Sequence, residues 1–319
     1  MQRLIVNYSD NPSFTIPWVQ PLVEKYFKIV EYHSGMVYNP QNDFLLIPYA
    51  SRITNPWFET LVQKGHKLIV DHLWDSDVAI TSIRTENELE LRCPNWMWYL
   101  SSLEFEHHGY KSYVPQRENK HSFLMLMNNP RWHRDALLNL LHNVLPTALY
   151  SYNSKNITMP GDNPGIAVPW QRYMNPDWYN HTAFSLVAES YMRNTMDPGP
   201  PLYTEVSEKI FKPLSYRHPF VVAGSQYTLK YLKQQGFETF DTWFDESYDN
   251  VLDDRVRLAM VCNEADKAVR RWHKKEIGWD TETLRRLEHN HHHMFDRALV
   301  ERRFIQEIIN PVLEFVCEH

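Results

Sequence analysis

An α/β protein built on two mainly parallel sheets is predicted by three observations. Short apolar runs alternate with amphipathic helical patterns, a polar stretch from Gly109 to Ser122 interrupts them once, and the alternation then restarts. A chain of 319 residues has room for two units of ordinary size, each burying its own core.

In the first half the runs Arg3 to Tyr8, Phe27 to Tyr32, Phe44 to Tyr49 and His66 to Leu73 read as strands, bulky or β-branched and bounded by polar turns. Helices are expected at "PWVQPLVEKY" and "NPWFETLVQKG", the second with Pro56 in its first turn and Gly65 just past its end. The segment "NWMWY", Asn95 to Tyr99, reads as a strand-like core run and as a place for an acceptor to rest.

The second half starts with a strand over Ser122 to Asn128, an amphipathic helix over His133 to Asn143 and a strand over Thr147 to Asn153. Next come strand Phe184 to Ser190, a proline-rich loop, a helix from about Ser207, strand Pro219 to Ser225, helix "QYTLKYLKQQGF", and "FETFDTWF". From Asp253 onward the pattern is helical, with Pro311 its main expected interruption. The expected divisions are 1–118, 119–275 and a C-terminal helical segment 276–319 that packs back on both domains.

Composition removes several classes. The 43% hydrophobic and 23% charged fractions are those of a soluble globular chain, and no apolar run has the length of a membrane span. A cytoplasmic location is expected, because the N-terminus lacks a signal peptide's apolar core. Cys93, Cys262 and Cys317 are too few and too scattered for a disulfide framework or thiolate metal site. The net charge of −6 does not mark a nucleic-acid binder. With 9 glycines there is no dinucleotide fingerprint and no P-loop, and no nucleophile elbow or zincin motif occurs.

In an open α/β sheet, ligands bind beyond the carboxyl ends of the strands. There the second half places Asn128 with Arg131 and Arg134, Glu189, and Gly224 with Ser225, while a helix begins at Ser207, Glu208 and Lys209. A helix N-terminus offers free N–H groups and partial positive charge to a phosphate, and Lys209 adds a full charge. Arg134 is expected to grip the same diphosphate with its planar donor fork. Glu208 would instead accept from ribose hydroxyls, since a carboxylate is repelled by phosphate.

The stretches "HRDALLNLL", "FSLVAES", "SEKIFKPL" and "PFVVAGS", followed by "FETFDTWFDESYDN", resemble in order and spacing the donor-binding domain of the alpha-1,3-fucosyltransferases and their bacterial and phage relatives. The similarity is best from about Ser122 to Asn250, and Ser207 stands where the family usually has threonine. It implies two Rossmann-like domains facing across a cleft, the GT-B architecture. It also implies a metal-independent transfer of a hexose, fucose among the candidates, from a nucleotide-diphosphate sugar to a hydroxyl acceptor by an inverting single displacement. A GDP-linked donor is favoured, no cofactor is expected, and Arg134, Glu208 and Lys209 would hold the nucleotide. The general base is expected from the first half, with Asp71 and Asp75 the candidates and Glu104 and Glu106 as alternatives.

Two other readings stay open. One is a phage-type enzyme that glycosylates a hydroxymethylated base in DNA, for which Arg255 to Arg303 has a slight basic excess. The other is a non-catalytic nucleotide- or sugar-binding module, or a metal binder using His289 and His293 at i, i+4.

Overall fold

The computed structural model describes residues 3–6, 13–31, 43–48, 57–64, 66–71, 73, 83–93, 95–118, 120–159, 175–192 and 206–318. The chain divides into two units, the first comprising 1–107 with 296–319 and the second 108–295. The division thus falls at His107/His108 rather than 118/119, and the expected C-terminal segment 276–319 is itself split at Phe295/Asp296.

The first unit holds β1 (Arg3–Val6), β2 (Lys28–Glu31), β3 (Asp43–Pro48), β4 (Lys67–Asp71), β5 (Ile83–Arg84) and β6 (Glu88–Leu91). They lie in the order β2-β1-β3-β4-β6-β5, parallel except for β5, which runs antiparallel to β6. Ile5, Leu45, Ile47, Leu68 and Val70 form one core cluster, against which Leu61 and Val62 of a helix pack. Helices α1 (Gln20–Val23) and α2 (Trp57–Gln63) fall inside the expected segments; Pro56 and Gly65 lie outside the described residues.

"NWMWY" is not a strand. It opens α3 (Trp96–His107), whose residues are buried from Trp96 through Phe105, so no polar face marks a helical period. Its aromatics meet the C-terminal segment, where the Trp96 and Tyr99 rings each lie 6.4 Å from Phe304.

The second unit is built on β7 (His121–Met127), β8 (Leu149–Tyr152), β9 (Thr182–Ala188) and β10 (Phe220–Ala223), all parallel, in the order β10-β9-β7-β8. Every residue of β9 is buried, as a strand covered on both faces requires. The chain leaves β7 toward one edge of the sheet and β9 toward the other. The carboxyl ends of these two neighbours therefore flank a topological switch point, the place where open α/β sheets offer a crevice to ligands.

The helices of this unit are α4 (Trp132–Leu140), α5 (Pro176–Asn180), α6 (Glu208–Ser215), α7 (Thr228–Gln234), α8 (Asp254–His273) and α9 (Thr281–Met294). In the first unit α10 (Arg297–Phe304) runs through a π-helical turn, Ile305–Ile309, into α11 (Asn310–Cys317). Pro311 does not interrupt this segment. It stands just after the π-helical turn, whose widened hydrogen-bond register accommodates the missing N–H, and the C-terminal region breaks instead between α8 and α9 and at Phe295–Asp296. "FETFDTWF" forms turns rather than a regular element.

Candidate functional site

The switch point is closed by α4. Arg134 is 3% exposed, and its Nη1 donates to Asn129 O at 2.9 Å, while Nη2 donates to Glu189 O at 2.9 Å and Ala188 O at 3.3 Å. These carbonyls lie beyond β7 and at the end of β9, where divergence of the strands ends the ladder. His133 adds a bond from Nε2 to Glu189 O at 3.0 Å, and burial pushes its imidazole down to about 4, so it stays neutral. Arg134 therefore departs from expectation: its terminal nitrogens fasten two strand ends together rather than presenting an open fork. Burial also lowers its own pKa, while the nearby Glu189 and Glu208 carboxylates oppose that shift.

Glu189 is 1% exposed at the floor of the crevice. It accepts a short hydrogen bond from Ser207 Oγ and others from Ser190 N at 3.2 Å and Ser207 N at 3.4 Å. Burial raises its pKa, opposed by Lys209 and the Ser207 bonds and reinforced by Glu208. Ser207 is also the N-cap of α6, accepting from Lys209 N at 3.4 Å.

Lys209 lies over this floor. Its Nζ reaches Ser190 Oγ at 2.9 Å, Glu208 Oε1 at 2.9 Å and Ser207 Oγ at 3.3 Å. Arg131, exposed before α4, donates from Nε to Ser190 O at 3.3 Å and lies 4.9 Å above the Tyr191 ring. One crevice therefore brings together Arg131, Arg134, Glu189, Ser207, Glu208 and Lys209. Ser190 links them through its N–H, carbonyl and hydroxyl; its position beside Glu189 at a strand end was the signal for it.

Gly224 belongs to the same wall. A Cβ there would lie 3.3 Å from Glu189 Cγ and 3.2 Å from Val222 Cγ1, and its carbonyl accepts from the buried Arg257 Nε at 3.0 Å. Ser225 is buried, and its carbonyl accepts from Thr228 Oγ1 at 2.8 Å in the turn into α7. Asn128 is exposed after β7, with its carbonyl accepting from Ser154 N at 3.2 Å.

Of the expected bases, Asp71 ends β4 in the first unit. It is 5% exposed, and Oδ1 accepts from Leu73 N at 3.0 Å, a local turn. Asp75 lies outside the described residues, as does most of the proline-rich loop before Val206. Glu104 is buried, and Glu106 pairs with Arg297 at 3.5 Å.

Three histidines of the run bond backbone carbonyls. His289 and His293 meet Gly236 O at 2.9 Å and Gln235 O at 2.8 Å, beyond the end of α7, and His291 meets Ser215 O and Lys111 O, each at 2.9 Å. Among the described residues no group of three or more His, Cys, Asp or Glu is placed to hold a metal. The basic excess of residues 255–303 is largely matched locally: Arg257 with Asp254, Lys267 with Glu264, Arg270 with Asp266, Arg285 and Arg286 with Glu282. An open hollow of about 650 Å³ lies elsewhere, at the α8–α9 turn, lined by Trp272, Lys275, Glu276, Trp279 and Asp280 among others. Among the described residues no helix is long and apolar enough to cross a membrane.

No protein-family model and no curated protein matches the chain. Among solved structures it is similar to an alpha1,3-fucosyltransferase with GDP, at 11% identity and a TM-score of 0.45 over 96% of this chain and 90% of that one. It is also similar to an alpha1,3-fucosyltransferase at 8% identity and 0.40, covering 94% and 91%. A third, with GDP-fucose, gives 10% and 0.38 over 93% and 90%.

Proposed function

We propose that the chain is a glycosyltransferase that takes a hexose from a nucleoside-diphosphate sugar, the diphosphate resting in the β7/β9 crevice. The supporting observation is the convergence of Lys209, Arg131 and Arg134 with the N-terminus of α6 at a topological switch point. On this reading Arg134 acts as a buried charge and shapes the crevice, while Lys209 and Arg131 make the phosphate contacts. Glu208, held beside Lys209, would accept from ribose hydroxyls when phosphate claims the ammonium.

The chemistry follows from the charges. The bond between the anomeric carbon and the β-phosphate oxygen breaks as the acceptor oxygen attacks, and its pair of electrons leaves on the diphosphate. Fixed cations stabilise that departing charge without a metal. The acceptor's proton passes to a carboxylate, for which Asp71 and Asp75 remain the proposed bases. A single displacement inverts the anomeric centre. A GDP-linked donor, fucose among the sugars, and a glycan or other hydroxyl acceptor follow from the resemblance in the donor-side motifs. The local pairing of many cations within 255–303 argues against a DNA acceptor.

A thermal-shift screen of nucleoside diphosphates and nucleotide sugars, with and without EDTA, tests the reading. A ligand at a hundred times its dissociation constant stabilises the native state by about 2.7 kcal/mol. A response to one nucleoside that survives EDTA is expected. No response to any compound at millimolar concentration would overturn the proposal, and binding without sugar transfer would favour the non-catalytic module.

A further inference from the structure

Among the described residues large aromatic side chains are mostly buried, which makes two exposed ones at the crevice informative. Trp132 is 42% exposed and Tyr191 is 46% exposed, and they flank the switch point from opposite sides, one opening α4 and the other following β9. Neither is loosely held. The Trp132 indole donates from Nε1 to Met192 O at 3.2 Å, which ties its ring to the segment after β9. The Tyr191 ring lies under the Arg131 guanidinium at 4.9 Å. Arg131 in turn bonds Ser190 O, the residue whose hydroxyl meets Lys209.

The geometry points to a stacking shelf of Trp132, Arg131 and Tyr191 that receives the aromatic base of the nucleotide whose diphosphate lies at Lys209. Three features support this. Flat apolar faces kept in water have a standing hydrophobic cost that a planar base removes. Their orientations are fixed before binding by Met192 O and Arg131, so little side-chain freedom is lost on docking. The shelf is continuous, through Arg131 and Ser190, with the cationic crevice, so one ligand with a planar end and an anionic middle spans both. This inference rests on the diphosphate reading above and adds to it the part of the ligand that supplies base affinity.

Two probes separate the inference from its premise. Inorganic pyrophosphate reports the crevice alone, and GDP reports crevice plus shelf. In calorimetric titrations the wild type should bind GDP about ten-fold or more tightly than pyrophosphate, the scale of one base–aromatic stack. Trp132→Ala and Tyr191→Ala should each weaken GDP about ten-fold and leave pyrophosphate within two-fold. Tyr191→Phe should retain GDP affinity. Both positions are exposed, so the alanine variants should fold, which circular dichroism and urea midpoints check. If both alanine variants bind GDP like the wild type while pyrophosphate still binds, the shelf is refuted and the diphosphate reading stands. If neither probe binds the wild type, the premise fails and the shelf falls with it.

Discussion

The charge state of Glu189 decides how cationic the crevice is, and Glu189→Gln isolates it. The residue is 1% exposed, and burial raises its pKa against the opposing pull of Lys209 and Ser207. A raised native pKa means the folded protein keeps a proton that the unfolded chain releases near pH 4.3. Above that point the native state binds more protons than the unfolded state, so stability falls as pH rises, until the pH passes the native pKa. The slope for one proton is at most about 1.4 kcal/mol per pH unit. Glutamine cannot ionise and contributes no such slope. Ser190 N and Ser207 N meet different oxygens of Glu189, so the single amide oxygen keeps only one of these two bonds; that loss offsets the variant's stability equally at every pH and leaves the pH dependence to report the ionisation. Urea unfolding of both proteins at pH 5, 6, 7 and 8 should show the variant gaining on the wild type as pH rises. A difference that does not change with pH would refute the reasoning, because Glu189 would then be ionised throughout and Lys209 would outweigh burial.

Three further outcomes follow from the same geometry. Arg134→Lys keeps the charge but cannot span Asn129 O and the buried Glu189 O together, and should cost about 1–3 kcal/mol in urea unfolding. Gly224→Ala places a Cβ 3.3 Å from Glu189 Cγ and should cost about 1–3 kcal/mol while weakening nucleotide binding, read by a lowered urea midpoint and a titration. His218 is pushed by burial down to about 4 against the opposing pull of Thr182 O, and its two ring nitrogens lie 2.8 Å from Thr182 O and 2.8 Å from Ser185 Oγ. Its stabilisation is present above the unfolded pKa near 6.5 and is lost as pH falls toward 4, a change of about 3 kcal/mol that His218→Gln should remove from the pH profile.

The strands and most of the crevice were legible in the sequence because each apolar run ends abruptly in polar residues. Glu189 was picked out by that rule, and Ser207 and Lys209 by the helix start that follows. What lay beyond reach has physical causes. Helix α3 was misread because burial through Phe105 erases the polar face that betrays a helix. The role of Arg134 depends on carbonyls stranded by diverging strands, which only the topology reveals. Trp132 and Tyr191 were invisible as a pair because residue type does not report exposure. Pro311 was taken as a break, yet the π-helical turn just before it accommodates its missing N–H within a continuous helical run.

The most direct test of a cationic diphosphate crevice is calorimetric titration of GDP into wild type and Lys209→Met at two salt concentrations. The crevice predicts that the wild type binds more weakly at high salt, and that the variant loses about ten- to hundred-fold affinity at low salt with a shallower salt dependence. Equal affinities and equal salt slopes for the two proteins would contradict it.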